Sequence, residues 1–122
     1  MAFLEDKQKE KLDKFVKFVK DQLELKQVPK IVIQNGRKDL KTTANYNYNL
    51  DDKVIKVNAK NRMLVDVMRS IAHEMVHHKQ YEQGRLKVKP PDIGGEIEDE
   101  ANAKAGQFIK MFSKEDETLY DE

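Results

Sequence analysis

The stretch His73-Glu74-Met75-Val76-His77 decides how the rest of this 122-residue chain is interpreted. On an α-helix, residues four apart lie one above the other on the same face, so the two imidazoles can bind one metal ion from one side. Glu74 follows the first histidine by about 100° around the helix. Its carboxylate can therefore reach a metal-activated water without binding the metal. This H-E-x-x-H pattern predicts zinc chemistry, with neutral imidazoles as ligands and a carboxylate as proton acceptor.

The sequence around the motif is typical of an amphipathic helix. No proline or glycine occurs over residues 61–82, and His73 and His77 fall nearly opposite an apolar stripe. The stripe consists of Leu64, Val67, Met68, Ile71 and Met75. We therefore expect a helix that buries one side in the core and presents the histidines on the other. The alternative is an ordinary amphipathic helix with two surface histidines, which the glutamate between them makes the weaker interpretation.

Polar residues and a glycine mark the ends of this predicted helix. Asn58 or Asn61 is expected to cap its start, and Gly84 follows its predicted end.

A catalytic zinc ion needs a third protein ligand and one open position. His78 projects about 100° away from His77, and the sequence contains no cysteine. The third ligand is therefore expected to be a carboxylate. The richest supply is the run Glu96-Ile97-Glu98-Asp99-Glu100, which opens a second helix predicted over residues 95–112.

Helical geometry favours Glu98 among the three glutamates of this run. Glu98 lies on the margin of the apolar stripe, whereas Glu96 and Glu100 point toward solvent, with Glu100 as the runner-up. Glu98→Ala is then expected to weaken zinc binding, and Glu100→Ala to stay within about 0.5 kcal/mol of the wild type. Asn102, one turn after Glu98, is positioned to hydrogen-bond a ligand. The alternative is that these acids merely favour a helix N-terminus.

Short strands are predicted upstream of the motif. Residues 31–33, 44–48 and 54–57 have strand character, with a turn at Asn35-Gly36 and a hairpin loop over residues 49–52. Alternation of asparagine and tyrosine over residues 45–48 indicates one packed and one wet face.

The two ends of the chain are strongly charged. An amphipathic helix is predicted within residues 1–28, closed before Pro29, and an acidic tail over residues 113–122. The lysines of this N-terminal helix alternate with acids, and the net charge of the whole chain is only +1. A solvated helix face is therefore expected and nucleic-acid binding is not. These lysines are Lys7, Lys9, Lys11, Lys14, Lys17 and Lys20. With no apolar signal or membrane-spanning stretch, we expect a cytoplasmic protein; the sequence leaves the oligomeric state open.

Several of these residues together resemble a known family. His73–His77 followed at short range by Glu98-Asp99-Glu100-Ala101-Asn102 resembles the gluzincins, zinc peptidases with a His-His-Glu site. The stretch Ile71-Ala72-His73-Glu74-Met75-Val76-His77-His78-Lys79-Gln80-Tyr81 is similar to the His-Glu-(Leu/Met)-Val-His-x-x-Gln-Tyr run of single-domain metallopeptidases encoded by bacteriophages. The likeness covers about residues 44–112.

The resemblance has implications for the site. The Glu-x-Glu-Ala-Asn run is similar to that of peptidases that cleave repressors of mobile elements, where the first glutamate is the ligand, which implies Glu98 here. Asn102 stands where the thermolysin-type pattern has aspartate. The family also binds peptides along a strand edge beside the metal helix, which implies residues 44–48. His78, Tyr81 and the tyrosines of residues 44–48 are open candidates for stabilising the oxyanion, and packing is the expected role of those tyrosines.

The sequence thus predicts an α+β, zincin-like single domain over residues 1–122. In it, an N-terminal helix and a small, mainly antiparallel sheet pack against the H-E-x-x-H helix, and a glutamate-bearing C-terminal helix completes a Zn²⁺ site of His73, His77 and Glu98. The expected function is hydrolysis of peptide or protein substrates, with Glu74 as general base. Two alternatives stay open. One is a zinc-binding but proteolytically inactive phage interaction protein, and the other is a DNA-associated protease.

Overall fold

Three helices and three strands follow one another along the described part of the chain, which comprises residues 6–36, 44–47, 53–85 and 95–115 of the computed structural model. Their order is α1 (Asp6–Leu23), β1 (Lys30–Gln34), β2 (Ala44–Asn47), β3 (Val54–Asn58), α2 (Leu64–Glu82) and α3 (Gly95–Glu115). The predicted α+β class is confirmed. Tyr48, the predicted hairpin loop and residues 116–122 of the predicted tail lie outside the described residues, as does most of the connector before α3.

The sheet is mixed, with strand order β1-β3-β2. β2 runs antiparallel to β3, with Tyr46 opposite Ile55, and β1 runs parallel to β3, with Ile31 opposite Ile55. The expectation of a mainly antiparallel sheet is therefore wrong for β1. The stretch over residues 35–53, which includes β2, is long enough to let β1 pair parallel to β3, because parallel strands need a dozen or more residues between them.

α2 is the central element and packs against α1, α3, β2 and β3. Every residue of its predicted apolar stripe is buried, as expected. However, Val76, His77, His78 and Gln80 are buried as well. The expectation that the histidine side would be the open side is wrong, because α3 covers it. Of the three histidines, His73 alone is partly open, with 19% of its side chain exposed.

The start of α2 differs from the prediction. The helix begins at Leu64, and the preceding Met63 makes no side-chain capping bond. Asn58 does not cap it, because its Oδ1 accepts hydrogen bonds from the backbone N–H groups of Gly36 and Lys60, at 2.9 and 2.8 Å. Asn61 does not cap it either and adopts a left-handed conformation with φ of 57°.

The ends of α1 and α2 are built alike. After α2, Gly84 has φ of 74°, as expected for a helix terminator, and the N–H of Arg85 reaches back to the carbonyl of Gln80. After α1, Glu24 takes the same left-handed conformation, with φ of 52°. α1 therefore stops at Leu23, several residues before the predicted end. None of the described helices is long and apolar enough to cross a bilayer.

Aromatic side chains join α1 to the far end of α3. Phe15 lies 5.3 Å from Phe112, and Phe18 lies 6.5 Å from Phe108, measured between ring centroids. This aromatic cluster, together with small buried residues along α3, sets the direction in which α3 crosses α2. It therefore determines where Glu98, at the opposite end of α3, can reach. α3 continues to Glu115, so the first residues of the predicted tail are helical.

Candidate metal centre

Two imidazoles from α2 and one carboxylate from α3 converge on a single point. Nε2 of His73 and Nε2 of His77 are 3.2 Å apart. Glu98 places Oε1 at 2.7 Å from the His77 nitrogen and Oε2 at 3.2 Å from the His73 nitrogen. One ligand atom from each residue lies within 4.8 Å of the others. These three residues, here called the donor cluster, could hold a metal ion.

The spacing of the two imidazole nitrogens fits a small divalent cation. A tetrahedral zinc ion with Zn–N bonds of about 2.0–2.1 Å holds two nitrogens about 3.3 Å apart, close to the 3.2 Å between the imidazoles. Three protein donors with one remaining position are the arrangement of catalytic zinc sites. Two histidines and a carboxylate also suit iron(II). The chemistry of the donors therefore supports a metal ion without selecting it.

A hydrogen-bond partner orients each imidazole. Asn102, one turn after Glu98 on α3, hydrogen-bonds His73, as the sequence predicts. Nδ1 of His77 lies 2.8 Å from Oε1 of Gln80. Burial, followed by the neighbouring His77, lowers the pKa of His73, against the opposing influence of Glu98 and Asn102. A lowered pKa favours the neutral imidazole, which is the form that binds metal.

Glu74 lies beside the donor cluster without belonging to it. Its Oε2 is 3.9 Å from Nε2 of His73. Burial and the negative charge of Glu98 raise the pKa of Glu74 to about 8, and a hydrogen bond from the backbone N–H of Tyr46 in β2 opposes them. The carboxyl is therefore protonated at neutral pH when no cation is near.

Glu100 does not point freely into solvent, contrary to the sequence expectation. Its Oε1 accepts hydrogen bonds from Gln80 and Arg85, both at 2.8 Å. Partial burial alone would raise the pKa of Glu100, but these two hydrogen bonds and the charges of Lys104 and Arg85 outweigh it and lower the pKa. The helical wheel misplaced Glu100 because Gln80 and Arg85 reach toward it from α2 and its C-terminal turn. Glu96, in contrast, is exposed as predicted.

His78 and Tyr46, both candidates for oxyanion stabilisation, bind each other instead. The hydroxyl of Tyr46 lies 2.6 Å from Nδ1 of His78. Nε2 of His78 lies 3.1 Å from Oε2 of Glu82, and the carbonyl of Gln27 also bonds the ring. Burial lowers the pKa of His78 despite Glu82, so the ring is neutral. We call these four residues, Gln27, Tyr46, His78 and Glu82, the His78 network.

Tyr81, the remaining described candidate, is also occupied. Its ring stacks on His78 with 6.5 Å between centroids, and Nζ of Lys53 lies 5.0 Å from the centroid of the Tyr81 ring. The structure thus assembles His73, His77 and Glu98 with Glu74 beside them, and it leaves His78, Tyr46 and Tyr81 in a different set of contacts.

The sequence reasoning missed Gln80 and Arg85. A signal for Gln80 was present, because it follows His77 by three residues and residues at that spacing share a helix face. Arg85 offered no such signal, because its partner Glu100 belongs to another helix.

No protein-family model matches this chain, and comparison with curated proteins and with solved structures finds no similar one. What the protein does must therefore be inferred from the chemistry of its own residues.

Proposed function

We propose that this protein is a zincin-like, zinc-dependent peptidase in which His73, His77 and Glu98 hold the metal and Glu74 is the general base. The observation that carries the proposal is the position of Glu74. Its buried carboxyl lies 3.9 Å from a donor nitrogen of His73, yet it is not one of the three converging donors. A structural zinc site is usually closed by four protein ligands and needs no such neighbour.

The chain's own residues supply the proton transfers of peptide hydrolysis. A zinc ion bound to the donor cluster would act as a Lewis acid, polarising the scissile carbonyl and lowering the pKa of water. Glu74 takes one proton from water as the new carbon–oxygen bond forms. The same carboxyl passes that proton to the amine nitrogen as the carbon–nitrogen bond breaks. Glu74 therefore ends each cycle as it began, and the products are a carboxylic acid and an amine.

The environment of Glu74 supports this role. Its pKa of about 8 belongs to the metal-free site. A cation a few ångströms away favours the carboxylate and lowers that pKa. Burial and a nearby cation together bring the pKa of Glu74 toward the operating pH, where a general base transfers protons most effectively.

The proposed substrate is an extended segment of peptide lying along β2. This strand is at one edge of the sheet, and the backbone N–H of Tyr46 hydrogen-bonds Glu74. A peptide that adds beside β2 would therefore bring its carbonyl groups next to the base. Main-chain hydrogen bonds with backbone groups of β2 other than the Tyr46 N–H, which Glu74 accepts, would give affinity that does not depend on sequence.

The two alternatives have less support. A metal-binding protein without hydrolytic activity would use the same three ligands, but a buried carboxyl with a pKa of about 8 destabilises the metal-free fold at neutral pH. A group with such a perturbed pKa beside a metal cluster favours an active site. For a DNA-associated protease, the exposed surface of α1 offers no continuous basic face, because Glu10, Asp13 and Asp21 lie among its lysines.

The decisive experiment combines metal content with hydrolysis. Wild type, Glu74→Gln and the matched control Glu96→Gln are purified without a histidine tag, analysed for metals and assayed on casein and a peptide library. We expect one zinc per chain in all three proteins and hydrolysis by all except Glu74→Gln, which keeps the ligands and loses the proton acceptor. Full activity of Glu74→Gln, or no stoichiometric metal in the wild type, would refute the proposal. Stoichiometric iron without hydrolysis would point to iron(II) chemistry instead.

A further inference from the structure

Gln80 is a completely buried polar residue one turn beyond His77, and both ends of its amide are hydrogen-bonded. Oε1 lies 2.8 Å from Nδ1 of His77. Nε2 lies 3.0 Å from the carbonyl oxygen of Ile97 and 2.8 Å from Oε1 of Glu100. The amide thus connects a donor of α2 to the first turn of α3.

The partners of Nε2 determine which way the amide faces. The carbonyl of Ile97 and the carboxylate of Glu100 can only accept hydrogen bonds, so they require the amino end. A flipped amide would set its oxygen against two other oxygens in the interior, where unmade hydrogen bonds are most costly. Oε1 of Gln80 therefore faces His77. Because that oxygen can only accept, Nδ1 of His77 must be the donor.

We infer that Gln80 and Glu100 are positioning residues for the metal centre, which fix His77 with a proton on Nδ1 and with Nε2 directed at the other two donors. The inference rests on the proposed metal site, but neither residue is one of the three donors. Partners of this kind orient a ligating imidazole and set which nitrogen binds the metal.

The two ring nitrogens of His77 face two different acceptors. Oε1 of Glu98 lies 2.7 Å from Nε2 of His77, and Oε1 of Gln80 lies 2.8 Å from Nδ1. A metal ion at the donor cluster would take the place of any proton on Nε2. The N–H at Nδ1 would then be the remaining proton of the ring, and Gln80 is its acceptor.

Arg85 holds this arrangement from the end of α2. Its backbone N–H donates to the carbonyl of Gln80 at 2.8 Å, and its Nη1 donates to Oε1 of Glu100 at 2.8 Å. The first turn of α3 supplies both Glu98, the third donor, and Glu100, the anchor of Gln80. When α3 packs on α2, the ligand set is completed and the protonation of His77 is fixed by the same contact.

The test uses the full chain with Gln80→Met, which removes both hydrogen-bonding ends at similar volume, and with Glu100→Gln. Zinc affinity is measured by competition with a chromophoric chelator. Nitrogen-15 NMR of the histidine rings in the metal-free protein identifies which nitrogen carries a proton. We expect the wild type to carry a proton on Nδ1 of His77, and we expect Gln80→Met to weaken zinc binding by about 10–100-fold, because that N–H loses its acceptor. Glu100→Gln should cause a smaller loss, because Ile97 still holds the amide.

A charge exchange separates positioning from simple packing. Gln80→Glu alone sets two carboxylates against each other, whereas adding Glu100→Gln restores an acceptor opposite a donor. We expect the double variant to recover part of the affinity that Gln80→Glu loses, since the carbonyl of Ile97 still faces an oxygen. Glu96→Gln, an exposed acid of the same helix turn, should match the wild type. Wild-type affinity in Gln80→Met, or a proton on Nε2 alone in the wild type, would overturn the inference. A wild type that binds no zinc would refute the proposed function instead, and the NMR measurement would still decide the protonation of His77.

Discussion

His77 and His78 are neighbours on α2 and both are buried, yet they belong to two different regions of the molecule. Successive residues of a helix point about 100° apart. His77 therefore faces α3 and the donor cluster, while His78 faces β2 and the segment after α1. The residue type is the same on both sides. The neighbours that the fold supplies decide whether an imidazole becomes a metal donor or a structural hydrogen-bonding group.

The two regions also differ in how well their charges are compensated. In the His78 network, the imidazole nitrogens have partners in Tyr46 and Glu82, and Glu82 also accepts from the backbone N–H groups of Lys26 and Gln27, at 3.2 and 3.3 Å. In the donor cluster, the charge of Glu98 contributes to the raised pKa of Glu74. The His78 network is therefore stabilised by hydrogen bonds within the protein. The donor cluster would be stabilised by a bound cation.

The strongest test of the difference between the two regions is to measure zinc affinity and stability after replacing each histidine with alanine. His77→Ala removes a donor, so zinc affinity should fall by more than about 100-fold, beyond the loss typical for a residue that only supports a ligand. His78→Ala removes a buried ring and its hydrogen bonds with Gln27, Tyr46 and Glu82, so the metal-free protein should lose about 2–4 kcal/mol of unfolding free energy. Chelator competition and urea denaturation measure the two effects.

Each variant serves as the control for the other. His78→Ala, if it folds, should bind zinc within a few-fold of the wild type, because its ring touches none of the donors. A loss of zinc binding in folded His78→Ala that equals the loss in His77→Ala would mean that the two regions are not separate.

Much of the difference between the two regions could be predicted from the sequence, and the predictions that were wrong have physical causes. The pair His73 and His77 and the margin position of Glu98 follow from helical periodicity, which is local and regular. The role of Glu100 does not, because a helical wheel shows only one helix, and Gln80 and Arg85 meet this acid from another.

The sheet and the role of His78 show the same limit. Residues 44–47 and 54–58 are close in sequence, so their antiparallel pairing could be predicted. The parallel pairing of β1, and the contacts of His78 with Gln27 and Tyr46, depend on parts of the chain that are far apart. No periodicity within α2 contains that information.

Glu74 connects the two regions, and its contribution to the free energy of unfolding should depend on pH. The pKa of Glu74 is about 8 in the metal-free fold and about 4.3 in an unfolded chain. Between those values the folded state binds more protons, so this group makes stability fall as pH rises, by up to about 1.4 kcal/mol per pH unit. Glu74→Gln removes that slope. In the presence of a chelator, the variant should gain stability over the wild type steadily from pH 5 to pH 8.

The difference between the two proteins isolates this group. His73 and His78 have lowered pKa values and act with the opposite sign, because the fold binds fewer protons than the unfolded chain and stability rises with pH. Their contributions are common to both proteins in the first approximation and largely cancel. A constant difference in unfolding free energy between pH 5 and pH 8 would show that the pKa of Glu74 is not raised by the fold.

The smallest expected effect concerns the hydroxyl of Tyr46. Its backbone N–H bonds Glu74, while its hydroxyl lies 2.6 Å from Nδ1 of His78. A neutral His78 that donates through Nε2 to Glu82 must accept at Nδ1, so the hydroxyl is the donor. Tyr46→Phe therefore removes one hydrogen bond of the His78 network and leaves the backbone contact with the base. Unfolding free energy should fall by about 1 kcal/mol, with zinc affinity and kcat unchanged.

This outcome separates a structural tyrosine from one that stabilises an oxyanion. Removing a hydrogen bond to the oxyanion of a transition state typically lowers kcat by about 100–1,000-fold, whereas removing a distant buried bond lowers only stability. Thermal denaturation and steady-state kinetics on the same preparation distinguish the two. A large fall in kcat with little change in stability would place the Tyr46 hydroxyl at the reacting carbonyl. The donor cluster and the His78 network would then form one functional unit, because Tyr46 would act in both.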